Sequence, residues 1–162
     1  MVTKALNAQI ATAIELTREG EYLRALTAFL DAYGSEDVAS IAAAKAATGL
    51  SFFGLCLALV QKKYKSAIEL ARRAADLEFY NGDHHANLAR IYVAAGNRKK
   101  ALETVESGLR QNPDHEGLLA VRQEIGVRAR PPVPFLTRAN PINVSLGQAR
   151  HAKKVAKDEK KR

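Results

Sequence analysis

Apolar residues recur at three- and four-residue steps along most of the first 126 positions. Ile68, Ala71 and Ala75 form one row, and Ala67, Leu70, Ala74 and Leu77 form its neighbour. Leu88, Ile91, Tyr92 and Ala95 repeat the spacing, as do Leu102, Val105 and Leu109. Such steps place apolar groups on one face of an α-helix. The pattern predicts helices near 3–18, 22–33, 37–61, 65–78, 83–95, 98–111 and 115–126. Ser35 and Asp114 are expected N-caps, and Gly20 and Gly96 suit helix C-termini.

The turns between these helices resemble one another. Glu19-Gly20-Glu21-Tyr22, Lys62-Lys63-Tyr64-Lys65 and Gly96-Asn97-Arg98-Lys99 each lead to an Ala followed by an aliphatic residue: Ala25-Leu26, Ala67-Ile68 and Ala101-Leu102. Tyr64 and Arg98 are 34 residues apart, whereas Tyr22 and Tyr64 are 42 apart. The insertion is absorbed most simply by a long third helix, since residues 35–50 hold no Pro. A fixed period of this length marks a stacked repeat.

Composition agrees. Hydrophobic residues are 47% of the 162-residue chain, which is enough for one domain with a core. Ala and Leu dominate, and that balance favours helix over sheet. Charge divides the chain. Residues 1–126 carry fifteen Lys/Arg against fifteen Asp/Glu, while 127–162 carry ten against two. The net +8 therefore belongs to the last 36 residues, and the expected division is a repeat domain over 1–126 and a tail over 127–162. The single cysteine, Cys56, sits in an apolar run and reads as a small buried hydrophobe in a reducing compartment. The N-terminus has no signal-peptide pattern, and the apolar run from Gly49 to Val60 is too short to span a bilayer. A cytoplasmic protein without a transmembrane segment is expected.

The period and its residues resemble the tetratricopeptide repeat family. In the third unit Leu88 and Ala89 stand for that family's Leu-Gly pair, with His85 at the preceding aromatic position. Tyr92, Gly96, Ala101, Val105, Gly108 and Pro113 follow. The first unit keeps Gly20, Tyr22, Ala25, Phe29 and Ala32; the second keeps Tyr64, Ala67, Ala71 and Ala74, with Gly54 one residue out of register. The resemblance spans roughly residues 5–126. It implies an all-α fold: a right-handed α-solenoid of three helix hairpins closed by a capping helix, followed by the basic C-terminal tail. It also implies a concave surface lined by the first helix of each unit. On those positions stand Ile10 and Ile14 from the first unit, Phe52, Cys56 and Leu59 from the second, and Asp83, Ala86, Asn87 and Arg90 from the third. Such a groove is mostly apolar with a polar end. It suits an amphipathic helix or an extended apolar segment. The two-Lys, two-Asn and Arg clamp that part of the family uses for C-terminal carboxylates is missing.

The tail follows other rules. Three prolines fall in positions 131–134, and Pro141 follows. Extended backbone is expected there, with Asn143 as the cap of a helix from Val144 onward. Pro132, Val133, Phe135 and Leu136 form an apolar cluster flanked by Arg128, Arg130 and Arg138. It reads either as a linker or as a segment that docks on the chain's own stack or on a partner. Arg150, Lys153, Lys154, Lys157, Lys160, Lys161 and Arg162 face only two acids in the final stretch. They form either a solvated helix or a patch for nucleic acid, acidic protein or anionic lipid. No aromatic interleaves them, which disfavours base stacking.

No glycine-rich phosphate loop, Gly-x-Ser-x-Gly turn or Cys/His metal spacing occurs. His84 and His85 read as a polar pair at a helix start. No cofactor, metal or catalysis is expected. The leading reading is an adaptor that holds a peptide or helix of a protein partner. The alternatives are a chaperone like the translocator-binding chaperones of type III secretion, which the body resembles, and a tether acting through the basic tail.

Overall fold

Three backbone turns with positive φ set the architecture. Gly20, Lys62 and Gly96 adopt φ values of 85°, 58° and 74°, and they occupy equivalent positions of the three units. At Gly20 the next amide reaches back to Leu16 O at 2.9 Å, and at Gly96 the next amide reaches Tyr92 O at 2.8 Å. Gly20 N and Gly96 N bond Thr17 O and Val93 O. These paired bonds satisfy the last carbonyls of the preceding helix and reverse the chain. At Lys62 the reach is one residue longer, from Lys63 N to Leu57 O at 3.3 Å. A side chain in the left-handed region is strained, so Lys62→Gly is expected to raise stability by about 0.5–1 kcal/mol. Urea unfolding checks this as a raised midpoint at unchanged slope.

The computed structural model describes residues 2–34, 47–126, 133, 140–142 and 144–149. Its helices are α1 (Val2–Arg18), α2 (Tyr22–Tyr33), α3 (Ala47–Val60), α4 (Tyr64–Leu77), α5 (Gly82–Ala94), α6 (Arg98–Gln111) and α7 (Glu116–Ile125). Among the described residues there is no strand, and no helix is long and apolar enough to cross a membrane. The expected start of the third helix, residues 37–46, and the expected cap Ser35 lie outside the described residues. The other boundaries differ from expectation by a residue or so. Asp114 does not cap α7. His115 does, its Nδ1 accepting the Leu118 amide at 3.3 Å, because the chain turns one residue later than the Asp suggests. Asn81 and Asn97 cap α5 and α6.

The chain divides into two compact units, Met1–Gly126 and Val127–Arg162. In the first, α1 pairs with α2, α3 with α4 and α5 with α6, and α7 closes on both α5 and α6. The hairpins stack through both their helices, α1 and α2 on α3, and α3 and α4 on α5. This is a helical repeat solenoid. Small residues set the crossings. Ala13 on α1, Ala25 on α2, Ala89 on α5 and Ala101 on α6 are all fully buried. Gly54 fills the role in the middle unit, where an added Cβ would meet Ala67 O at 2.8 Å. Gly108 packs so closely that a Cβ would meet Leu118 at 2.7 Å and His85 at 2.8 Å.

The middle helix, α3, is apolar on every side and is buried on every side from Gly49 to Ala58. Adjacent Phe52 and Phe53, about 100° apart around the helix axis, are therefore both enclosed. Phe53 packs on Phe29 (5.6 Å between ring centroids) and Tyr33 (5.5 Å) of α2. Phe52 lies beneath the Arg18 guanidinium of α1, 5.5 Å from its ring centroid.

The second unit contains a short helix over 141–142 and 144–149. Its cap is Asn140, whose Oδ1 accepts the Ile142 amide at 3.0 Å; Asn143 lies outside the described residues. Pro141 thus occupies the first helical turn, where its missing N–H is not needed. Ile142, Val144 and Leu146 are exposed.

Candidate protein-interaction surface

The first helices of the three hairpins and α7 present one continuous edge, and four side chains tie it together. Arg18 on α1 donates to Glu15 at 2.7 Å and, across the stack, to Asp83 Oδ2 on α5 at 3.0 Å. Asp83 Oδ1 lies 3.3 Å from Nε2 of His115, the cap of α7. Because His115 Nδ1 already accepts a backbone amide, Nε2 is the ring nitrogen that faces the Asp83 carboxylate. Arg18 also covers Phe52. The line Glu15–Arg18–Asp83–His115 therefore runs from the first unit to the cap, over the middle helix. Its Arg18 and Asp83 side chains are 52% and 38% exposed. Surface pairs of this kind contribute less than about 1 kcal/mol each, so the line is a weak tie over a strong core.

The expected groove residues fall into two groups. Ile10, Ile14, Phe52, Cys56, Ala86 and Asn87 are buried within the stack. Leu59, Asp83 and Arg90 are half-buried at its surface. Arg90 has no acid partner among the described residues. Packing between α1, α3 and α5 explains the first group: the hairpins close tightly enough to seal the positions that a looser stack would expose. Cys56 shows the effect. It is fully buried, its Sγ lies 3.4 Å from Thr17 Oγ1, and burial pushes its thiol up to about 11. A thiol so held is poorly nucleophilic at neutral pH.

Sequence reasoning missed a buried polar chain between the second and third units. Ser51 on α3 lies 2.7 Å from His84 Nδ1, and Asn87 Nδ2 donates to Ser51 Oγ at 3.3 Å. His84 Nε2 is 3.0 Å from Glu78 Oε2, which also accepts from Asn81 at 3.0 Å. Desolvation lowers the His84 pKa, against opposing effects of Glu78 and Asp83. The Asn81 hydrogen bond, followed by that of His84, holds Glu78 below its usual range. The chain is then fully defined: carboxylate Glu78 accepts Nε2–H, and the bare Nδ1 accepts the Ser51 hydroxyl. Serine, histidine and glutamate stand in catalytic order, yet Ser51 and His84 have no exposed surface, so no substrate reaches the hydroxyl. The arrangement satisfies buried polar groups and fixes how two units sit together. A serine 33 positions before a histidine in helical segments gives no warning of this contact.

On the opposite side, a cleft of about 640 Å³ opens between α4 and α6, floored by Leu88 and Tyr92 of α5 and edged by Phe79. Phe79 and Tyr80 are exposed, edge to face at 5.7 Å. Their carbonyls are held by His85 and Asn112. Among the described residues, no group of three or more His, Cys, Asp or Glu side chains is gathered where it could hold a metal ion. Of the tail positions, Val133 is half-buried. Pro132, Phe135, Leu136 and the basic residues Arg150, Lys153, Lys154, Lys157, Lys160, Lys161 and Arg162 lie outside the described residues.

Comparison with curated proteins finds no match. A tetratricopeptide repeat family model matches residues 58–125, from the end of α3 through α7. The hairpin α1–α2 lies outside that match but repeats its turn geometry and its small-residue crossing. Repeats of this family generally mediate protein–protein interaction, typically as non-enzymatic scaffolds. Residues 58–125 are thus similar to the tetratricopeptide repeat family, and the stacked helix hairpins of the first unit are consistent with that likeness.

Proposed function

We propose that the chain is an adaptor or scaffold, and that the edge built by α1, α3, α5 and α7 holds a segment of another protein. The observation that carries the reading is the accessible pair on this edge: Leu59, apolar and half-buried, and Arg90, a cation without an acid partner among the described residues. A buried apolar middle helix supplies rigidity, and the edge residues supply chemistry. The matching occupant is an extended or helical segment with apolar side chains and a carboxylate placed for Arg90.

Copurification of the tagged full chain from its native cells tests this. A partner should be recovered in fixed ratio with the wild type. Its recovery should fall at least about tenfold with Leu59→Asp or Arg90→Glu, the effect expected at a binding hot spot. Circular dichroism should show the helices intact. Undiminished recovery with both variants would remove this edge from consideration. A chaperone role predicts an apolar client in the same fraction, and a tether through the basic tail predicts nucleic acid or lipid there instead.

A further inference from the structure

The Arg18–Asp83 pair joins residues 65 positions apart and lies over a helix that contains no charged residue from Ala47 to Val60. Beneath it are Phe52, 5% exposed, and one turn further on Cys56, fully enclosed. Both ends of the pair have a second partner. Arg18 keeps Glu15, and Asp83 keeps His115. Breaking the bridge therefore strands neither charge. The bond is weak because its groups are partly in water, and the side chains it covers are apolar.

We propose that Arg18 and Asp83 form a clasp across α1, α3 and α5, closed in the free protein and opened when a partner segment takes its place over Phe52. The partner chemistry follows from what the clasp leaves behind. An incoming carboxylate takes over Arg18, and the apolar side chain next to it takes the place of the guanidinium on Phe52. Asp83 swings to His115. The inference rests on the reading of this edge as a binding surface and adds how that surface is kept closed.

Cys56, the only cysteine, reports on opening without any partner. The rate at which a neutral maleimide alkylates it in the full chain measures how often the space below the clasp is reached. Asp83→Ala should raise that rate about two- to fivefold, the weight of one exposed ion pair. Added salt should raise the wild-type rate and leave the Asp83→Ala rate flat. Lys99→Ala, which removes the remote exposed pair with Glu103, should match wild type. A wild-type rate that is salt-independent and equal to that of Asp83→Ala would overturn the clasp, as would an equal rise in Lys99→Ala. Should Asp83→Ala fail to fold, the wild-type salt series decides alone. The experiment contains no partner, so a flat result leaves the binding surface standing, and loss of partner binding leaves the clasp standing.

Discussion

Replacing Phe53 by alanine is expected to destabilise the first unit by about 3–5 kcal/mol, the loss typical of a large buried aromatic side chain. Phe53 is fully buried and sits where three rings meet, Phe29, Tyr33 and its own. Phe29 and Tyr33 lie stacked at 6.1 Å. The truncation would leave a cavity between the first and second hairpins that rigid helices cannot close. Small helical domains have stabilities of only about 5–15 kcal/mol, so a substantial fraction would be unfolded at 37 °C. Phe52→Ala also opens a cavity and removes the seat of Arg18, but leaves the ring cluster intact. The expected order in urea midpoints is wild type, Phe52→Ala, Phe53→Ala. Equal midpoints for wild type and Phe53→Ala would mean that the ring cluster does not join the hairpins.

The second large effect concerns His84 and depends on pH. Alanine there removes a fully buried imidazole and leaves Ser51 and Glu78 without their partner. The expected loss at pH 7.5 is about 2–4 kcal/mol. Burial lowers the folded pKa of His84 below its usual 6.5, and hydrogen bonds lower that of Glu78 below 4.5. For a group whose folded pKa is depressed, the unfolded chain takes up the proton first. Stability from His84 is thus fully present above pH 6.5 and is lost as pH falls through the lower folded value. Glu78 adds the same sign of change below pH 4.5. The wild type should lose stability on acidification from pH 7.5 to 5, and His84→Ala should lose much less over that range. The difference between them narrows as pH drops. Parallel melting curves for the two proteins across that range would contradict the neutral, buried imidazole.

Much of this fold is legible in the chain. Gly20 and Gly96 mark their turns because only glycine takes the left-handed region without strain. Ala25, Ala67 and Ala101 recur at one position of each unit, and all three are fully buried. The middle turn is harder to read, since Lys62 sits where the other units place glycine and gives no such signal. The site is less legible. Repeat register places Phe52, Cys56 and Asn87 on the binding edge, but register carries no information about how tightly neighbouring hairpins close. That depends on volumes contributed by α1 and α5, and here it seals those positions. The Arg18–Asp83 bridge and the Ser51–His84–Glu78 chain join residues tens of positions apart, and no local spacing announces them. Of the expected lining residues, Leu59, Asp83 and Arg90 reach the surface.

Site-specific photo-crosslinking tests the interaction surface most directly. A benzophenone side chain is placed in the full chain at Arg90 on the proposed edge, or at Leu23, an exposed position on α2 away from it. Irradiation in native cells should join a partner protein to the Arg90 position in high yield and leave Leu23 largely unlinked. Strong adducts at Leu23 with none at Arg90 would place the partner elsewhere on the stack and contradict the account.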